Sequence, residues 1–144
     1  MNCFPFVEIN MNPAGNQNKL NHAPLPQATI VTPYYNTGSV FWDTVECVAK
    51  QTMRDFEWVI VDDASTDLEA AGILEDCVKR LHSQNVAVRV IRHEKNKGLS
   101  AARNTGIRVA RSEFIMLLDS DDILEPTYVE KSYWYLTTHP ECSF

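Results

Sequence analysis

From Ala28 onward, short β-rich runs alternate with segments of helical period, and that alternation constrains the fold more than any other feature of the chain. ATIVT (28–32) is a β-rich run closed by Pro33. SVFWDTVECVAKQ (39–51) places Val40, Phe41, Val45, Val48 and Ala49 near helical spacing. EWVIVD (57–62) is apolar on both faces, as a strand covered on both sides requires. STDLEAAGILEDCVKRL (65–81) opens with Thr66 and Glu69 at capping-box spacing; Leu68, Ala71, Leu74, Cys77, Val78 and Leu81 form its apolar stripe. VAVRVIRH (86–93) reads as a third strand, LSAARNTGIRVA (99–110) as a third helix and EFIMLLD (113–119) as a fourth strand. PTYVEKSYWYLTT (126–138) is a last helix, with Pro126 in its first turn and Pro140 just past its end.

Strands separated by helices of this length return in one direction through right-handed crossovers. The expected fold is α/β: a doubly wound, mostly parallel sheet with helices on both faces. A single domain over 28–144 is expected, because a chain of 144 residues is long enough for one genuine core. Residues 1–27 hold six Asn and four Pro without periodicity. An irregular arm is expected there, with FPFVEI as the stretch suited to an apolar partner.

A net charge of -6 argues against a nucleic-acid partner. Nine of the thirteen Lys and Arg residues nevertheless fall between Lys79 and Arg111, a stretch that suits either an anionic ligand or a solvated face. Cys3, Cys47, Cys77 and Cys142 stand far apart without CxxC spacing, which indicates neither a zinc site nor a redox pair. Reduced thiols and a cytoplasmic location are expected. No run approaches the roughly 20 apolar residues of a membrane span, and MNCFPFVEIN lacks a secretory start. Any membrane association is expected from parts outside this chain.

In doubly wound sheets ligands bind beyond the carboxyl ends of the strands. Here four consecutive strand ends carry polar chemistry: TPYYN, VDDASTD, EKNKGLSAARN and DSDD. Residues i and i+2 of an extended chain share a side, so Asp119 and Asp121 can converge while Ser120 turns away. Carboxylates are hard ligands, and Mg²⁺ or Mn²⁺ commonly takes one or two of them together with substrate phosphates. Turn and cap chemistry also accounts for DSDD taken alone. Asp62 and Asp63 suit a base N–H or ribose hydroxyl, or a cap on the following helix. Arg103 suits a phosphate, a nucleobase carbonyl or a surface ion pair. Gly98 permits a tight turn near a ligand, and Asn96 and Asn104 serve backbone or ligand alike. Tyr34 and Tyr35 can wall a flat base or pack into the core. His82, His93 and His139 stand apart and receive no role. The company of the motifs, rather than any one of them, favours a cation-held diphosphate.

Taken together, ATIVTPYYN, QTMRDFEWVIVDDASTD, NKGLSAARNTGI and FIMLLDSDDILEP resemble the nucleotide-sugar-binding half of the GT-A fold in inverting glycosyltransferase family 2, across about residues 28 to 139. The resemblance implies transfer of a sugar from a nucleoside diphosphate donor, with UDP expected, to an acceptor hydroxyl on a saccharide, lipid or polymer. It implies that the Pro33 backbone and Tyr35 line the base pocket and that Asp63 accepts the uracil imide N–H. Asn96 and Arg103 would lie near the nucleotide, and Asp119 would contact ribose or metal. Asp121 would ligate Mg²⁺ or Mn²⁺ as the second acid of the DxD element, with Asp122 beside it as a further ligand. The family's general base and acceptor loops lie well beyond that element, so no catalytic residue is nominated. The chain is expected to be an N-terminal part, truncated before the acceptor half, that binds donor without turning it over. Exposed apolar surface and self-association are expected where the missing half would complete the sheet. A non-catalytic nucleotide-sugar-binding module is the first rival. The second is a receiver-like phospho-acceptor domain, which needs a Lys at a later strand end.

Overall fold

The computed structural model describes residues 25–142. Residues 1–24 of the expected N-terminal arm therefore lie outside the described residues. The elements are β1 (Ala28–Tyr34), α1 (Phe41–Ala49) entered through a 3-10 turn at Gly38–Val40, β2 (Phe56–Asp62), α2 (Leu68–Ser83), β3 (Ala87–Arg92), α3 (Leu99–Val109), β4 (Phe114–Leu117) and α4 (Tyr128–Thr138). All four strands are parallel, in the spatial order β3-β2-β1-β4. The α/β expectation, with helices on both faces, holds.

Burial follows position in the sheet. Every residue of β1 and β2 is buried, because these strands are flanked on both edges and covered on both faces. The edge strands β3 and β4 are buried only in part. On one face Ile30, Trp58, Ile60, Val88 and Met116 meet Phe41, Val45 and Val48 of α1, Leu74, Cys77 and Leu81 of α2, and Val129 of α4. On the other, Val31, Val59 and Val61 meet Ala102 of α3. A Cβ at Gly106 would run into Val31, so glycine there lets α3 close onto β1.

This division of helices fixes where a ligand can go. From β1 the chain winds through β2 to β3, then α3 carries it back across the opposite face to β4 on the far side of β1. A right-handed crossover in the reversed direction must use the other face. The crevice opens where the winding reverses, beyond the carboxyl ends of β1 and β4.

Four local expectations are corrected. Pro33 does not close β1; it pairs in register with Val61 inside the strand. The Val31 carbonyl accepts the Leu118 N–H (3.0 Å), whereas the Tyr34 carbonyl accepts the Asp63 N–H on the opposite side (2.8 Å). Since backbone groups alternate sides, Pro33 faces β4 just beyond that strand's end, and its missing N–H breaks no ladder bond. Thr66 does not cap α2. Asp67 does, accepting from the Glu69 and Ala70 N–H groups at 2.8 and 3.3 Å, where a charged acceptor also answers the helix dipole. The stripe consequently shifts to Ala70, Leu74, Cys77 and Leu81, and Leu68 is left 90% exposed in the first turn. Pro126 lies before α4 rather than in its first turn, and its carbonyl accepts the Thr52 N–H at 2.9 Å.

Candidate functional site

A cavity of about 310 Å³ opens at this reversal point, and its lining includes Pro33, Tyr35, Asp63, Asn96, Gly98, Asp119 and Asp121. The structure thus gathers residues from all four strand ends. Arg103 is not on the lining but bonds Asp119, and Asp122 is also off the lining, its backbone carbonyl accepting from Thr44.

Asp63 is the most tightly held of these groups. It follows β2 directly and is 3% exposed. Its Oδ1 accepts from His93 Nδ1 (2.6 Å) and the Lys97 N–H (2.9 Å), and its Oδ2 from the Gly98 N–H (2.7 Å) and, as the longer arm of a shared bond, the Lys97 N–H (3.1 Å). Burial, the largest influence, pushes its carboxyl pKa up, but the bonds from His93, Lys97 and Gly98 together outweigh it and hold the pKa below the ordinary value. The Asn96–Gly98 turn wraps around this carboxylate: Gly98 has φ +88° and its N–H also meets Asn96 Oδ1 at 3.0 Å. Asp62 does not cap α2 and is not on this lining. It accepts the Ser65 N–H at 2.8 Å and pairs with Arg92 at 3.3 Å.

The tyrosine pair divides. Tyr34 is core: it lies edge-on to Phe41 with ring centroids 5.0 Å apart, and its hydroxyl donates to the Ala70 carbonyl at 2.7 Å. Burial pushes its pKa up to about 12. Tyr35 is half exposed on the cavity, free to stack on a flat ring.

On the acidic side, Arg103 NH2 donates to both oxygens of Asp119, at 2.5 and 2.7 Å. Its Nε is buried without a hydrogen-bond partner among the described residues. Asp121 and Asp122 are exposed, and the described residues offer no group of three or more His, Cys, Asp or Glu side chains able to hold a metal. That donor set fits Mg²⁺ or Mn²⁺ only if one or two carboxylates share the ion with a ligand's phosphates and water, which is the usual habit of these cations. Asp121 and Asp119, both on the cavity lining, are the residues placed to do so.

The backbone of this acidic loop hangs from α1. Thr44 Oγ1 donates to the carbonyls of Ser120 (3.0 Å) and Asp122 (2.9 Å). The Leu124 N–H meets Cys47 Sγ at 3.2 Å. Gln51 donates to the Glu125 carbonyl (2.9 Å) and accepts from the Val129 N–H (3.0 Å). Thr37 bonds Ser120 side chain to side chain at 2.6 Å. Burial also pushes the Cys47 thiol pKa up. These residues and His93 are those that sequence reasoning missed. A signal existed for four of them: Thr44, Cys47 and Gln51 recur at helical spacing, and His93 stands at a strand's carboxyl end like the residues that were nominated.

With the geometry in place, comparison with known proteins is specific. The family model for glycosyl transferase family 2 matches residues 29–142. The glycosyltransferase GlyG of Streptococcus pneumoniae serotype 4 is 39% identical over 105 residues, which is 73% of this chain and 33% of GlyG. A Staphylococcus aureus TarS structure in complex with UDP-GlcNAc superposes with a TM-score of 0.70 at 26% identity, covering 79% of this chain and 32% of that one. The mannosyltransferase PcManGT of Pyrobaculum calidifontis, in complex with GDP-Man and Mn²⁺, gives 0.64 at 25%, covering 76% and 31%. The chain spans about a third of the length of these relatives.

Proposed function

The chain belongs to glycosyl transferase family 2, and from that premise we propose that its cavity holds the nucleoside diphosphate of a sugar donor, with uracil against Asp63 and the diphosphate against Asp121. One observation carries the reading: Asp63 after β2 and Asp119 and Asp121 after β4 line one crevice at the reversal point, with Arg103 of α3 bonded to Asp119. Topology brings the strand ends to one edge, but it does not require them to carry carboxylates and an exposed tyrosine around a cavity of about 310 Å³.

In this reading Tyr35 stacks on the base, Asp63 accepts its imide N–H, and Asn96 lies beside the nucleoside. Arg103 holds Asp119 toward ribose. Asp121, with Asp119 and Asp122 as neighbours, holds Mn²⁺ or Mg²⁺. When bound, the cation offsets charge on the leaving diphosphate as a Lewis acid. Opposite-face attack by an acceptor hydroxyl, helped by a general base, gives inversion; that base is assigned to no carboxylate of this chain. The compartment we propose is the cytoplasm. Among the described residues no helix is long and apolar enough to cross a membrane. Self-association belongs to the same proposal. Its support is the groove between β4 and α4, about 580 Å³, flanked by exposed Leu117, Tyr128, Trp134 and Tyr135.

Calorimetry with UDP tests the site. Affinity should be about tenfold or more higher with Mn²⁺ than with a chelator, and Asp121→Ala should erase that difference. Equal affinity in all three titrations would remove Asp121 from the metal site.

A further inference from the structure

His93 is a buried imidazole that the proposed chemistry does not use. It directly follows β3, is 7% exposed, and bridges two side chains: Nδ1 meets Asp63 Oδ1 at 2.6 Å and Nε2 meets Thr105 Oγ1 of α3 at 2.9 Å. The hydrogen-bond directions assign its tautomer. Asp63 is held ionised, so it only accepts, and Nδ1 must donate. Thr105 Oγ1 in turn accepts from Arg108 at 3.3 Å, which leaves its own proton free for Nε2.

A carboxylate offers about four acceptor directions. His93, Lys97 and Gly98 bring three protons to those four directions: His93 and Lys97 bond Oδ1 at 2.6 and 2.9 Å, Gly98 bonds Oδ2 at 2.7 Å, and the Lys97 N–H reaches Oδ2 only as the longer arm of a shared bond, at 3.1 Å. The room left for a further donor is therefore on Oδ2. We infer that His93 is a specificity-determining residue: by occupying Oδ1 it limits Asp63 to a single donor from the bound base, which selects uracil over guanine. Uracil presents one ring N–H between two carbonyls. Guanine presents a ring N–H and an adjacent amino N–H side by side, a pair that needs both carboxylate oxygens. With Oδ1 taken, the second guanine donor enters the site unpaired, and a desolvated unpaired donor is rejected strongly. The inference rests on the reading that the cavity binds a nucleoside diphosphate base-first against Asp63. It goes beyond that reading by naming what sets the base preference.

The test is the ratio of UDP to GDP affinity, measured by calorimetry in chelator so that the cation takes no part. The unaltered chain should favour UDP by about tenfold or more. His93→Ala, which frees Oδ1, should bring the ratio toward one. His93→Asn, whose side-chain amide can still donate to Oδ1, should retain most of the preference. A merely structural role would weaken both nucleotides together and leave the ratio unchanged, and that outcome overturns the inference. Equal affinity for UDP and GDP in the unaltered chain overturns it as well, whatever the variants do. Binding of neither nucleotide sinks the underlying nucleotide reading, a result distinct from both.

Discussion

Asp63 and Asp121 are both carboxylates just past a strand end on one cavity, yet they are held in opposite ways. Asp63 is buried and three donors of its own chain hold it before any ligand arrives. Asp121 is exposed, on a loop whose backbone is tied down while its side chain is left free. One end is finished as folded; the other is finished only by what binds. Reading a base demands a fixed acceptor, because discrimination depends on leaving wrong donors unpaired. Gripping a hydrated cation with a diphosphate demands spare oxygen ligands.

The largest expected effect separates the two ends by stability alone. Asp63→Ala orphans a buried imidazole and two backbone N–H groups and should cost about 3 kcal/mol in urea unfolding. Asp121→Ala removes no hydrogen bond or ion pair among the described residues and should stay within about 0.5 kcal/mol. Equal losses would break the contrast.

Gln51 sharpens it from the other side. Gln51→Ala leaves the Glu125 carbonyl and Val129 N–H unpaired in a buried place, an expected loss of about 2 kcal/mol. If the loop's backbone rather than its side chains is what α1 fixes, the same variant should reduce the Mn²⁺-dependent gain in UDP affinity and spare the metal-free affinity. A change confined to metal-free binding would place the effect of α1 at the wrong end of the cavity.

The pH dependence of stability bears on Asp63. Its folded-state pKa lies below the ordinary 3.8. The stability it contributes is therefore fully present above that value and is lost as pH falls through it toward the lower folded pKa. Thermal unfolding of the unaltered chain should weaken more steeply below about pH 4 than that of Asp63→Asn. The excess slope should not exceed one proton, about 1.4 kcal/mol per pH unit. Parallel curves would mean that the bonds to Asp63 do not favour its charged form.

The same contrast explains what was legible in the sequence. Strand and helix order follows from periodicity, which burial on two faces imposes on β1 and β2 whatever the details. The meeting of Pro33, Asp63, Asn96, Asp119 and Asp121 followed from the strand-end rule, since topology alone brings those ends together. His93 escaped because its role depends on a register between β2 and β3 that places Asp62 against Arg92, which no periodicity specifies. Thr44 and Gln51 escaped because their partners are backbone groups nearly 80 residues away. Asp67 displaced Thr66 as the cap because Asn36, distant in sequence, takes the N–H groups of Thr66 and Asp67. In each case a long-range contact overrode a local preference.

The smallest effect concerns strain, and it too differs between the ends. Ala64, between Asp63 and Ser65, has φ +61°, and Asn36 opposite has φ +51°; no described residue of the acidic loop has positive φ. A non-glycine residue in this region costs about 1 kcal/mol, which Asn tolerates better than Ala. Ala64→Gly relieves that strain but adds unfolded-chain freedom worth about 0.4 to 1 kcal/mol. The net change in unfolding free energy should therefore be under about 0.5 kcal/mol, in either direction. The informative measurement is metal-free UDP binding beside it. If the turn after β2 is part of what fixes Asp63, glycine should weaken UDP by about two- to threefold at unchanged stability, because the carboxylate must then be ordered on binding. Unchanged affinity would show that His93 and the Lys97–Gly98 amides hold Asp63 without help from the strained turn.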